Sequence, residues 1–74
     1  MISFVPLWKT LEAKDMKKIE LREKTGISKA TFAKLAKNQS ITLETIEKIC
    51  AALGCGIEDV VIILPDVPTS GLLG

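Results

Sequence analysis

The sequence of 74 residues contains no histidine and no tyrosine, and aromatic residues make up only 4% of it. Histidine is the side chain most often used for proton transfer near neutral pH. The sequence also lacks a glycine-rich phosphate-binding loop and any recognisable pair of catalytic carboxylates. We therefore expect a protein that is not an enzyme, needs no cofactor and binds no evident small-molecule ligand.

Long hydrophobic runs are also missing. The longest, Val60 to Leu64, stops at Pro65, whereas a helix needs about 20 apolar residues to cross a membrane. The opening segment MISFVPLW has neither the basic start nor the long apolar stretch of a secretory signal. These absences predict a cytoplasmic protein with no membrane contact.

Cysteine is scarce, with only Cys50 and Cys55 present. Their spacing matches no common zinc motif, and a cytosolic pair is usually reduced. A free thiol on a helix face behaves as a small apolar residue. Packing is favoured for both cysteines over a metal or redox role, and we expect no metal site.

The residues that are present favour one small folded domain. Hydrophobic residues make up 47% of the chain and no polar low-complexity tract occurs, so a folded core is favoured over disorder. The end of the chain, PDVPTSGLLG, carries two prolines and two glycines. We predict a domain over residues 1–65 and a flexible tail over residues 66–74.

Helical spacing and capping signals divide the domain into short segments. Five helices are predicted, at about residues 6–14, 17–26, 29–37, 42–54 and after Gly56. The β-branched run VVIIL could end as helix or as strand, and ISFV near the N-terminus is equally strand-like. If both are strands, they could pair as a short ribbon that closes the domain.

Charge is distributed unevenly although the net charge is only +1. The segment from Lys14 to Lys37 has eight basic and three acidic residues, a net charge of +5, and the rest of the chain has a net charge of −4. We call this segment the basic block. Its charge can belong to an ordinary solvated helix face, or to a surface that faces phosphates.

The stretch LREKTGISKATFAKLAKN contains a break between two helical segments. Gly26 can take the left-handed conformation that ends a helix, and Ser28 can cap the next one. A turn this short lets two helices cross steeply, which is helix-turn-helix geometry.

A helical wheel gives the third predicted helix two different faces. Phe32 and Leu35 point together toward the core, whereas the opposite face carries Ala30, Ala33, Lys34 and Lys37, with Lys29 at its edge. Alanines allow close approach to a DNA major groove and lysines can reach base edges or phosphates. The alternative for the alanines is simple helix propensity.

The segments KIELREKTGISKATFAKLAKN and ITLETIEKICAALGC together resemble the lambda-repressor-like, Cro-type helix-turn-helix domains of the XRE family. The resemblance covers Lys18 to Cys55, and the first predicted helix also fits. It implies an all-α, compact five-helix DNA-binding fold, to which the short ribbon could be added. It also implies a transcriptional regulator, most simply a repressor, that contacts double-stranded DNA as a homodimer.

The resemblance also assigns roles to individual residues. The positions that usually read bases are Lys29, Ala30 and Lys34. The expected contacts to the DNA backbone are Lys17, Lys18, Ser28, Lys37 and Asn38. Phosphate contacts would set register and salt dependence, and base contacts would select the site.

Two positions depart from the family pattern. Arg22 stands where the family usually has a small residue, so its charge must reach outward along the aliphatic stem or the helix pair must splay. Lys17 stands where a threonine or serine cap is common, and a lysine cannot accept the capping hydrogen bond. A nearby phosphate would offset that cost. A protein-interaction module of the same fold, such as an antitoxin-like domain, remains the alternative function.

Overall fold

The computed structural model describes residues 1–65, and its helices follow the capping signals of the sequence closely. In chain order the elements are β1 (Ile2–Ser3), α1 (Val5–Ala13), α2 (Lys18–Thr25), α3 (Lys29–Ala36), α4 (Leu43–Leu53), a 3₁₀ turn (Ile57–Asp59) and β2 (Ile62–Ile63). The predicted tail at 66–74 lies outside the described residues.

Two helices begin at an N-cap residue with a hydroxyl group, and two helices end at a glycine in the left-handed conformation. Ser28 and Thr42 accept hydrogen bonds from the backbone N–H groups three residues on, at 3.2 Å each. Gly26 and Gly54 have φ of +71° and +65°, a conformation that glycine adopts without a Cβ penalty. The boundaries of α2, α3 and α4 therefore lie within a residue or so of the predicted ones.

A single aliphatic core holds these elements together, with α2 packed on α4 and the 3₁₀ turn packed on α1 and α4. Fully buried side chains come from every α-helix, from the segment before α1 and from the segment before β2. The core residues are Phe4, Leu7, Leu11, Leu21, Ile27, Leu35, Ile46, Ile49, Leu53 and Val60.

The two strands form an antiparallel ribbon, as the sequence allowed. Ile2 lies opposite Ile63 and Ser3 opposite Ile62. Next to them, Met1 and Leu64 exchange two backbone hydrogen bonds of 2.7 Å each. The residues before α1 and after the 3₁₀ turn are thus tied together at one end of the domain.

The prediction of five helices is wrong. Residues 1–65 contain four α-helices, and the segment expected to form the fifth makes only the 3₁₀ turn. Helix formation has a costly nucleus, and the β-branched Val60 to Ile63 that follow favour extended backbone. The fold is therefore mostly helical, with four α-helices and the small two-stranded sheet that the sequence allowed.

The cysteines lie at the end of α4. The backbone N–H of Cys55 donates to the carbonyl of Cys50 at 3.1 Å, across the left-handed Gly54. Burial raises the pKa of the Cys55 thiol, and the neighbouring Cys50 raises it further. Cys50 and Cys55 are free thiols that pack against the core. Within residues 1–65, no three His, Cys, Asp or Glu side chains cluster as a metal site would require.

Candidate nucleic-acid interface

The turn between α2 and α3 is fixed by three different interactions. The N–H of Gly26 donates to the carbonyl of Arg22 at 2.9 Å and closes α2. Ile27 is 7% exposed and anchors the turn in the core. The Ser28 hydroxyl then accepts from the Thr31 N–H and opens α3. Chain direction changes within two residues, so the angle between the two helices is set locally.

The two faces of α3 are as the helical wheel predicts. Leu35 is fully buried, and Phe32 is half-buried against the core. The opposite side is exposed along its whole length, comprising Lys29, Ala30, Ala33, Lys34 and Lys37. All five lysines that are predicted to contact bases or the DNA backbone are exposed, at the start of α2 or along α3: Lys17, Lys18, Lys29, Lys34 and Lys37.

Beside this surface is a crevice that the sequence did not indicate. It runs between α3 and the start of α4, and hydroxyl groups line it next to Lys34. Its lining residues are Thr31, Lys34, Ser40, Ile41, Thr42 and Thr45. Hydroxyl groups of this kind can donate hydrogen bonds to phosphate. Ser40, Thr42 and Thr45 follow the basic block in the sequence, and only the fold places them beside Thr31 and Lys34.

Asn38 has a structural role besides the predicted contact to the DNA backbone. It follows α3 in a left-handed conformation, with φ of +55°. Its Oδ1 accepts a hydrogen bond of 2.8 Å from the N–H of Phe4, just before α1. This bond ties the end of the exposed helix to the start of the chain and leaves the side-chain amide group of Asn38 as a donor.

Trp8 contacts side chains of both helices that carry the candidate interface, α2 and α3. Its ring meets the ring of Phe32 in an edge-to-face contact with a centroid distance of 6.2 Å. The Nζ of Lys18 lies 4.6 Å from the centroid of the same ring, a distance at which a cation–π attraction acts. One indole thus connects α1, α2 and α3. Sequence spacing gave no signal of this contact, because Trp8 and Lys18 lie on separate helices.

Only one of the two hydrogen bonds of a capping box is present at the start of α2. Lys17 occupies the N-cap with an extended backbone, and its side chain forms no capping bond. Its backbone N–H, however, donates to the carboxylate of Glu20 at 3.1 Å. This bond is half of a capping box, in which a threonine at the N-cap would supply the other half. The sequence does carry that signal, a glutamate three residues after the cap.

Arg22 lies half-buried in the groove that α2 forms with the turn. Ile19, Glu23, Gly26 and Ile27 line the same groove. Its Nε is buried and has no hydrogen-bond partner among the described residues. An unpaired buried donor costs about 1–3 kcal/mol. The departure from the family pattern at this position therefore carries a local cost in stability.

The fold and the exposed face of α3 define a helix-turn-helix protein. A family model described as the Cro/C1-type HTH DNA-binding domain matches residues 6–66. The chain belongs to this family, which confirms the resemblance seen in the sequence.

Solved structures similar to this chain include a crystal structure of the transcriptional regulator VanUg. The two chains are 48% identical in sequence and superpose with a TM-score of 0.85, and the match covers 88% of this chain and 87% of that one. No curated protein matches the sequence. Within residues 1–65, no helix is both long and apolar enough to cross a membrane.

Replacing Lys17 with threonine is expected to stabilise the fold and weaken DNA binding. The threonine would complete the capping box with Glu20, which is worth about 1 kcal/mol. In a domain of this size, that gain raises Tm by roughly 4–8 °C. The same change removes a charge expected to face a phosphate, so the slope of log affinity against log salt should become less negative by about 0.9.

The matched control is Lys9→Thr, which removes the same charge from the exposed face of α1. It should leave DNA affinity unchanged and lower Tm slightly, because threonine is a poorer helix former than lysine. Thermal melts and fluorescence titrations with labelled duplex measure the two effects. An affinity equal to that of the unchanged protein would refute a phosphate contact by Lys17.

Proposed function

We propose that this protein is a sequence-specific DNA-binding transcriptional regulator, acting as a repressor, that inserts α3 into the major groove. The observation that carries the proposal is the exposed basic face of α3. Leu35 and Phe32 anchor that helix to the core, and the turn at Gly26 and Ser28 sets its direction. Family membership supports the same use of the helix.

Within this proposal, Lys29, Ala30 and Lys34 read the bases. Lys29 and Ala30 form the first turn of α3, the part of a recognition helix that contacts base edges. A lysine can bond guanine O6 or N7, and an alanine methyl can contact thymine. Lysine lacks the bidentate geometry of arginine, so we expect modest discrimination between sites from this face.

The contacts to the DNA backbone flank the base-reading residues. Lys17 and Lys18 begin α2, where N–H groups and positive charge favour a phosphate. Ser28 lies at the start of α3, and Lys37 and Asn38 lie at its end. Contacts at both ends of the helix would fix its register along the groove.

DNA sites for such regulators usually contain two half-sites, and we propose that two copies of this chain occupy them. In a symmetric dimer the two recognition helices would be about 34 Å apart, one turn of the double helix. Two matched basic surfaces would then face the same side of the DNA. The partner in this proposal is double-stranded DNA together with a second copy of the chain.

A protein-interaction module of the same fold is the second candidate function. The observation in its favour is a groove between α4 and the 3₁₀ turn that combines apolar and acidic groups. Its lining residues are Leu43, Glu44, Ile46, Glu47, Cys50 and Ile57. Leu43 is 73% exposed and Ile57 is 48% exposed. Such a groove would suit a basic, apolar segment of another protein.

A titration with mixed-sequence duplex DNA at several salt concentrations separates the two functions. Three lysines are proposed to contact phosphates: Lys17, Lys18 and Lys37. They predict a slope of log affinity against log salt of about −3 for each copy of the chain. Affinity should therefore fall on the order of 40-fold between 50 and 200 mM salt. Binding sites selected from random DNA would then give the operator. Absence of salt-dependent DNA binding would favour the protein-interaction module.

A further inference from the structure

The ammonium group of Lys18 lies against a tryptophan ring, and no other lysine of residues 1–65 has a contact of this kind. Its Nζ is 4.6 Å from the centroid of the Trp8 ring, within the distance of about 6 Å at which a cation–π attraction acts. Lys18 is otherwise exposed. An exposed lysine side chain moves among many rotamers, and a partner that binds it has to stop that motion at a cost in entropy. The ring therefore orders this side chain before any DNA is bound.

The ring of Trp8 is itself fixed in place. Trp8 is half-buried and packs against the core from α1, where Leu7 and Leu11 of the same helix are buried. Its ring meets the Phe32 ring of α3 with 6.2 Å between centroids and an angle of 65° between the ring planes. A fixed ring in contact with both α2 and α3 places the Lys18 ammonium group at a defined position relative to the exposed face of α3.

Lys18 is the first residue of α2, where backbone N–H groups point outward and favour an anion. The residue before it, Lys17, gives this helix no side-chain cap. A cation–π contact uses one side of an ammonium group, and the group has three N–H donors. Donors on the solvent side therefore remain for a phosphate, and the ring and the phosphate attract the same ammonium group from opposite sides.

We propose that Trp8 is a positioning residue for DNA binding, which holds the Lys18 ammonium group where a phosphate of the DNA backbone meets it. Trp8 itself needs no contact with DNA. Its contribution is the entropy of the Lys18 side chain, which is already lost in the free protein and no longer has to be lost on binding. The inference rests on the proposed function, since the phosphate belongs to the DNA that the protein is proposed to bind.

The packing of Trp8 on Phe32 gives the ring a second effect that has to be separated from positioning. Loss of that packing would shift α3 and weaken its DNA contacts whether or not the Lys18 side chain is present. Loss of positioning acts only through Lys18. A double-mutant cycle distinguishes the two effects, because residues that act through each other give non-additive changes and independent residues give additive ones.

The cycle combines Trp8→Leu with Lys18→Ala, which leaves no side chain for the ring to order. Titrations of labelled duplex at one salt concentration give the four affinities. Trp8→Leu should weaken binding about fivefold, the equivalent of the entropy of one immobilised side chain, and should cause no further loss in the Lys18→Ala background. The slope of log affinity against log salt should stay unchanged in Trp8→Leu, because the charge remains, and should become less negative by about 0.9 in Lys18→Ala.

The matched control is Lys17→Ala, which removes the neighbouring exposed lysine. In that background Trp8→Leu should keep its whole effect of about fivefold. Trp8→Phe keeps an aromatic ring beside Phe32 with a weaker cation–π face, so its affinity should lie between those of the unchanged protein and Trp8→Leu. NMR of the free proteins detects the contact directly, since the ring current moves the ε-methylene protons of Lys18 upfield. Circular dichroism confirms folding of each variant.

Each outcome decides a different point. If Trp8→Leu causes no loss, or a loss that is as large without the Lys18 side chain as with it, the positioning role is overturned and the proposed function stands. An unchanged protein that does not bind DNA contradicts the proposed function, and the positioning role falls with it. Lys18 ε-methylene resonances that are the same in the unchanged protein and in Trp8→Leu contradict the contact itself. If Trp8→Leu does not fold, Trp8→Phe takes its place in the cycle, with a smaller loss expected that Lys18→Ala again removes.

Discussion

Replacing Lys29 and Lys34 together with glutamate is expected to weaken DNA binding on the order of 100-fold or more, with the fold unchanged. Both side chains are exposed on α3, so neither carries core packing. A hydrogen bond to a charged partner contributes about 1.5–3 kcal/mol. The glutamates would add repulsion from phosphates. Two such losses, together about 3–6 kcal/mol, are a large part of the affinity for mixed-sequence DNA, whose Kd of about 10⁻⁴–10⁻⁶ M corresponds to about 5–8 kcal/mol.

The matched control reverses the same number of charges away from the interface. Lys9 and Lys48 are exposed on α1 and α4 and lie outside the basic block. The double variant Lys9→Glu, Lys48→Glu has the same net charge as the α3 variant and should lose affinity only by the general repulsion, on the order of a few-fold at physiological salt. Mobility shifts at two salt concentrations measure the DNA affinity of both double variants. If the two double variants bind alike, net charge and not α3 governs binding.

Replacing Leu35 with alanine is expected to remove a large part of the protein's free energy of unfolding. Leu35 is fully buried, and removal of a buried leucine side chain costs about 2–5 kcal/mol, which includes the cavity left behind. Small domains have only about 5 kcal/mol or somewhat more in total. The same residue holds α3 in place, so DNA binding should fall at temperatures where the destabilised variant begins to unfold.

The comparison variant is Leu43→Ala, the same substitution in α4 at a side chain that is 73% exposed. Surface changes of this kind stay within about 0.5 kcal/mol. Urea unfolding followed by circular dichroism gives both free energies of unfolding. If Leu35→Ala lost no more than Leu43→Ala, the assignment of Leu35 to the core would be wrong.

The positions of α2, α3 and α4 could be predicted because their boundaries depend on local chemistry. Gly26, Ser28, Thr42 and Gly54 each act on backbone groups within a few residues, and that information lies in the adjacent sequence. The separation of α3 into a buried and an exposed face follows from helical periodicity alone. These two signals sufficed for the turn and for the face proposed to contact DNA.

The features that were missed depend on contacts between distant parts of the chain. The hydrogen bond between Asn38 and Phe4 spans 34 residues, and the contact between Lys18 and Trp8 joins two helices. The fifth helix failed for a related reason: the pairing of β2 with β1, at the other end of the sequence, competes with continued helix. Local propensity favours extended backbone at Val60 to Ile63, and the pairing with β1 stabilises it further.

The position of Trp8 gives the protein an internal optical reporter. It is the single tryptophan of the chain, and its ring contacts both Phe32 on α3 and the ammonium group of Lys18. A phosphate that draws the ammonium away from the indole changes the electric field at the ring, and a change in the position of α3 alters its packing. Intrinsic fluorescence of the unlabelled protein therefore reports on the two helices proposed to contact DNA.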